Sequence, residues 1–165
     1  MPTATRDEAS IEIAADPAVV YELVSDVTAM GERSPECYRC EWVGDATGPA
    51  VGARFKGHNR LGLLKWSTTC EVTTAEPGKE FAFMVIDGKG REQTRWRYRI
   101  EQRGSLTHLT ESYEFLWCPL IARIAEAPLP RDRQLGRGIR QTIAAVKQAA
   151  ESVQQHPVRL RPTRG

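Results

Sequence analysis

"TRWRYRIEQRGSLTHLTESYEF", residues 94–115, decides the fold. Two runs of alternating side chains flank Gly104-Ser105, which reads as a two-residue II′ hairpin loop. With that loop, paired positions sum to 209: Trp96 faces Tyr113, Tyr98 faces Glu111 and Ile100 faces Leu109. On the other face Arg95 meets Glu114, while Arg97 and Arg99 meet Ser112 and Thr110. One face is therefore aromatic and the other charged. A register slip of one residue would exchange them, so the pattern specifies the pairing. Arginines interleaved with aromatics also suit a single-stranded nucleic-acid groove. The net charge of +2, from 23 Lys+Arg against 21 Asp+Glu, argues instead for a solvated outer face with ion pairs.

Working outward, residues 37 to 117 read as strands and turns. The expected strands are Tyr38 to Val43, Gly52 to Arg60, Leu63 to Thr74, Lys79 to Ile86, Thr94 to Arg103 and Leu106 to Trp117. A Leu61-Gly62 loop would set Phe55 against Thr68, Gly57 against Trp66 and Asn59 against Leu64. A Pro77-Gly78 loop would set Phe83 against Val72 and Phe81 against Thr74. Upstream, Ile11 and Ile13 flank Glu12 in a short strand. Asp16-Pro17 then starts a helix as N-cap and first residue. A second short helix ends near Ser34-Pro35. Downstream, Leu120 to Ala127 is a further helical stretch ended by Pro128 and Pro130. Leu135, Ile139, Ile143, Val146, Ala150 and Val153 then mark an amphipathic helix of roughly 22 residues.

The expected architecture is α+β: a curved antiparallel sheet of about seven strands wrapped around a long C-terminal helix, with two short helices after the first strand. Residues 8–155 form one domain, with flexible termini at 1–7 and 156–165. No apolar run reaches the ~18 residues of a membrane span. The N-terminus lacks the apolar core of a secretory signal, so the expected location is cytoplasmic, with Cys37, Cys40, Cys70 and Cys118 reduced.

The registers gather Phe55, Asn59, Trp66, Thr68, Cys70, Phe81, Phe83, Trp96, Tyr98, Glu111, Tyr113 and Phe115 on the inner face. The helix facing them offers small and mid-sized groups, including Gly136 and Gly138. A mixed-polarity cavity follows, apolar with a few placed polar groups. Trp42, Phe55, Trp66, Phe83 and Trp96 would wall it. Asn59, Thr68, Tyr98, Glu111 and Tyr113 would orient polar groups of a ligand. Glu111 with Tyr98 could act as a general acid or base, or anchor a ligand hydroxyl. The plainer reading is a buried carboxylate satisfied by its neighbours.

"CYRC", Cys37 and Cys40, has the spacing of a metal or redox pair. In a regular strand positions i and i+3 face opposite sides, which argues against a joint site. His58 and His108 fall on the outer face, away from Glu111, and no phosphate-binding loop is present. No cofactor and no metal are expected. The basic stretch 130–140 could edge the cavity mouth, or simply be a solvated first turn.

The chain resembles the START-like, helix-grip superfamily called SRPBCC, and within it the polyketide cyclase/dehydrase and lipid-transport group. The resemblance rests on "SIEIAADPAVVYELVSDV", "VGARFKGHNRLGLLKWSTTCEV", "AEPGKEFAF", the 94–115 hairpin and "IRQTIAAVKQAAE", which together span roughly residues 10 to 152. It implies a deep cavity between sheet and C-terminal helix. Many relatives carry a Trp after the first helix where this chain has Gly31-Glu32, which implies a more open or more polar wall there. Three functions fit: binding of a hydrophobic, partly oxygenated small molecule such as a polyketide, isoprenoid or lipid; cofactor-independent cyclase or dehydratase activity in the same cavity; and a ribosome- or protein-associated regulatory role using the outer basic face. Monomer and homodimer both remain open.

Overall fold

The computed structural model describes residues 6–117 and 131–156. The helical stretch expected at 120–127 and the basic tail after 156 lie outside the described residues. Seven strands form one antiparallel sheet: β1 (Arg6–Ile13), β2 (Cys37–Val43), β3 (Arg54–Leu61), β4 (Leu64–Glu76), β5 (Glu80–Ile86), β6 (Glu92–Arg103) and β7 (Leu106–Phe115). Their spatial order is β1-β7-β6-β5-β4-β3-β2. Among the described residues two helices accompany the sheet, α1 (Pro17–Ser25) and the 25-residue α2 (Arg131–Gln155), with a 3-10 turn at Val27–Glu32. β1 is longer than the Ile11–Ile13 alternation suggested. Arg6 and Asp7, expected in the N-terminal flexible stretch, pair with Glu114 and Tyr113.

The β6–β7 hairpin has the expected register, with Tyr98 opposite Glu111 and Trp96 opposite Tyr113. Gly104 has φ +61°, and among the described residues no non-glycine residue, Ser105 included, has positive φ, which fits a II′ loop. The other two hairpins differ from expectation. In β3–β4 the loop is Gly62-Leu63, so Phe55 faces Cys70, Gly57 faces Thr68 and Asn59 faces Trp66. The loop moved because Gly62, at φ +59°, takes the first central position that demands left-handed backbone. The pairing sum changed by two, so every side chain kept its face. At Pro77-Gly78, Lys79 N–H donates to Glu76 O (3.0 Å), closing a turn with Gly78 at φ +72°. Three residues separate the closing pair Glu76 and Glu80, and Phe81 faces Ala75 rather than Thr74. An irregularity between Val72 and Thr74 absorbs the extra residue, and Val72 faces Phe83 as expected.

Asp16 occupies the N-cap of α1 and Pro17 follows it, yet the Asp16 side chain makes no capping bond. The junction is held instead by α2: Ala14 N–H donates to Glu151 Oε1 (3.0 Å) and Asp16 N–H to Gln154 Oε1 (3.2 Å). Lys147 Nζ donates to Glu12 O (2.6 Å) from the same helix. These bonds fix the C-terminal half of α2 where Ile143, Val146 and Ala150 meet Ile13, Val20, Val24, Ile100 and Leu109 in the main core. Gly31 is required where the 3-10 turn meets β2, since a Cβ there would run into the Tyr38 backbone carbonyl. A tryptophan has no place at that position.

The outer face carries ion pairs. Arg95 meets Glu114 (3.2 Å), Arg97 holds Glu80 through two bonds of 2.7 Å, Arg99 reaches Glu8 (3.0 Å) and Arg54 reaches Glu71 (2.8 Å). His58 and His108 lie on this face as expected, bonded to Glu41 (3.0 Å) and Glu12 (2.6 Å). Among the described residues, no helix is long and apolar enough to cross a membrane.

Candidate functional site

The two halves of α2 do different work. Its C-terminal half is packed into the core. Its N-terminal half stands over β2–β6 with Leu135, Gly138, Ile139 and Thr142 turned toward the sheet, and the space between is a cavity of about 660 Å³. The volume arises because a wide curved sheet faces small helix residues: at Gly138 the nearest atom a Cβ would meet is Pro35 Cγ, 3.7 Å away. The exposed Arg60, Ser67 and Gln141 belong to the same lining, so the cavity reaches solvent.

An aromatic row crosses the inner face of the sheet. Trp42 meets Phe55 edge-on (5.6 Å between centroids), Phe55 meets Phe83 (5.0 Å), Phe83 stacks on Trp96 (6.5 Å), Trp96 meets Tyr113 (5.5 Å) and Tyr113 meets Phe115 (5.3 Å). Such contacts stiffen a wall beyond their area burial. The row is interrupted at β4, where the small Cys70 stands beside Phe55.

Eight of the ten residues expected to contact a ligand line this cavity: Phe55, Asn59, Trp66, Thr68, Phe83, Trp96, Tyr98 and Glu111. Trp42 and Tyr113 are outside the lining. Trp42 sits on β2, nearest the free edge of the sheet, and backs Phe55. Tyr113 is 2% exposed and joins Leu135 and Ile139 in a separate core cluster. Both flank the wall along the same face, each against one of its aromatic residues, Phe55 or Trp96. Their alternation placed them on the correct face, but a face does not say how far along it the helix leaves a gap.

The polar groups of the lining form two separate pairs, one on β3–β4 and one on β6–β7. Tyr98 Oη donates to Glu111 Oε1 (2.9 Å), and Asn59 Nδ2 donates to Thr68 Oγ1 (3.4 Å). Glu111 is 2% exposed, and its Oε2 has no hydrogen-bond partner among the described residues. Burial pushes its carboxyl up to about 8, with the Tyr98 hydroxyl pulling weakly the other way. Burial and the neighbouring Glu111 push the Tyr98 phenol well above its ordinary range. Near neutral pH Glu111 is therefore mostly a neutral acid at the cavity wall. It can donate a hydrogen bond to a carbonyl or hydroxyl, or exchange a proton.

Two side chains that the strand alternation had turned apart also come together. Cys37 and Cys40 both line the cavity, with their sulfurs 3.3 Å apart. A register shift between Cys37 and Arg39 puts an extra residue, Tyr38, into β2 and turns both thiols inward. The only sequence signal was the spacing itself. Gly57 opposite them makes room, since a Cβ there would be 3.7 Å from Cys40 Sγ and 3.8 Å from Cys37 Sγ. The tightest contact is with Thr68 Oγ1, 3.0 Å from such a Cβ, so the missing side chain accommodates Thr68, the residue opposite it, rather than the Trp66 indole. From the basic stretch 130–140, Arg137 lines the cavity mouth.

Residues 5–151 match the family model described as "Polyketide cyclase / dehydrase and lipid transport". The chain belongs to this polyketide cyclase/dehydrase and lipid-transport family. A polyketide-cyclase-like protein of Corynebacterium glutamicum, solved by NMR, is 36% identical, with 98% of this chain and 100% of that one covered and a TM-score of 0.62. An aromatase/cyclase of Streptomyces sp. R1128 shares the family fold at 15% identity, with 90% and 94% covered and a TM-score of 0.70. A START superfamily protein of Mycobacterium smegmatis does so at 16% identity, with 90% and 98% covered and a TM-score of 0.67. No curated protein matches significantly.

Proposed function

We propose that this family member binds a hydrophobic, partly oxygenated small molecule, such as a polyketide, isoprenoid or lipid, in the cavity between the sheet and α2. One observation carries the reading: a cavity of about 660 Å³, walled by Phe55, Phe83 and Trp96, contains a buried carboxyl with one oxygen left without a partner among the described residues. An unmet buried polar atom is costly, and a ligand hydroxyl or carbonyl would satisfy it. Asn59 and Thr68 supply further polar contacts on the wall. A solved structure of the same fold is named an aromatase/cyclase, and a shape-directed ring closure in this cavity is the second reading. Its support is the Glu111 carboxyl, whose midpoint of about 8 suits a group that both gives and takes protons near neutrality.

Glu111→Gln separates the two readings. The amide resembles the neutral acid in shape and can still donate a hydrogen bond. For a carrier, a hydroxylated anthraquinone titrated against tryptophan fluorescence should bind the variant at pH 7 within a few-fold of the wild type. Above pH 8 only the wild type should weaken. For an enzyme, the variant should keep ligand and lose turnover of a poly-β-ketone chain. Failure of such ligands to enter, with the cavity instead filled by its own side chains, would remove both readings.

A further inference from the structure

The fold places two thiols together on one strand, where the spacing alone would part them. Cys37 and Cys40 flank the Tyr38 bulge, face the cavity and sit 3.3 Å apart at their sulfurs. Both are buried against the protein, at 8% and 5% exposure, so their access to small molecules is through the cavity. Gly57, opposite Cys40 on β3, puts no side chain against the two sulfurs. A disulfide needs about 2.05 Å between sulfurs, an approach of roughly 1.2 Å from where they stand.

We propose that Cys37 and Cys40 form a reversible redox pair, closed to an intrachain disulfide by a peroxide that enters the cavity. The Cys37 thiolate attacks one peroxide oxygen and the O–O bond breaks. Cys37 becomes a sulfenic acid, and the departing hydroxide takes a proton to leave as water. Cys40 then gives up its proton and attacks Cys37 Sγ. The S–S bond forms, the S–O bond breaks, and the second oxygen leaves as water. Two thiols and one hydrogen peroxide yield one disulfide and two waters, with the sulfurs oxidised and the peroxide reduced. A small-molecule dithiol reverses the step by exchange.

The order of attack follows from the surroundings. Hydrogen bonding from Cys40 lowers the Cys37 thiol, while the bond to Cys37 and burial raise Cys40. Cys70, the third thiol on this wall, is a spectator, since burial pushes it up to about 12 and its sulfur is engaged with Thr68 Oγ1 (3.9 Å). Closing the bond draws both sulfurs together over Gly57 and reshapes that part of the cavity. The inference does not depend on which ligand the cavity holds.

Arg39 lies between the two cysteines, so trypsin divides them into peptides 34–39 and 40–54. The folded, full-length protein is treated with a small excess of hydrogen peroxide, alkylated in denaturant and digested without reductant. The expected result is peptide 34–39 joined to 40–54, or the uncut 34–54 lighter by two hydrogens, with Cys70 and Cys118 alkylated. Dithiothreitol should abolish the link. Cys40→Ser should stop at a dimedone-reactive sulfenic acid on Cys37. No oxidation, a disulfide to Cys70 or Cys118, or Cys37 passing directly to sulfinic acid in the wild type would each overturn the proposal. If Cys40→Ser does not fold, the wild-type peptide map decides alone.

Discussion

Glu111 concentrates the chemistry of the site. Its carboxyl is held at about 8 when folded, against 4.5 for a glutamate free in water. The folded state therefore binds the proton more tightly than the unfolded state. The associated stability is fully present below 4.5 and is lost as pH rises toward 8, at up to about 1.4 kcal/mol per unit. Urea unfolding of the wild type across this range should show the decline, and Glu111→Gln should lack that component. Gly57 is the second decisive residue. A Cβ there would lie 3.0 Å from Thr68 Oγ1 and against both thiols. Gly57→Val should cost about 1–3 kcal/mol in urea unfolding by overpacking. It should also crowd Cys37 and Cys40 and reduce entry of hydrophobic probes.

Among the elements, the strands owe their faces to alternation and their registers to turns. The β3–β4 hairpin depends on Gly62 at φ +59°. Gly62→Val should lower stability by about 1–2 kcal/mol in urea unfolding, because a side chain there must adopt left-handed backbone. It should not exchange the two faces, which are set by burying the aromatic row. The β2 bulge acts in the opposite sense to a turn. It leaves the ends of the strand paired to β3 and inverts the alternation across the bulge, so that Cys37 and Cys40 face the same side. A bulge has no strong local signal in "CYRC". Packing of β2 beneath the 3-10 turn, at the contact that requires Gly31, accompanies it.

At the scale of the molecule, a helix that is core along one half and roof along the other makes the cavity. Thr142 is 7% exposed and lines the cavity from that roof. Thr142→Phe should fill part of the space and weaken binding of a hydrophobic fluorescent probe by about tenfold or more, a loss of about 1.4 kcal/mol. The far-ultraviolet circular dichroism should be unchanged. The same mutation on a solidly packed helix would instead cost about 1–3 kcal/mol of stability by overpacking.

The amino-acid pattern by itself determined the sheet, the long helix, the two faces of every hairpin and the meeting of Tyr98 with Glu111. These follow from side-chain periods of two and 3.6 and from glycines at turn positions, all local in the chain. Only the tertiary structure decided where the cavity lies along the inner face, leaving Trp42 and Tyr113 beside it rather than in its lining. Only it turned Cys37 and Cys40 to the same side. The reason is physical: whether an inward-facing residue meets solvent space or a neighbour depends on how far the roof stands from it. That distance is set by contacts between residues more than a hundred positions apart, such as Lys147 with Glu12.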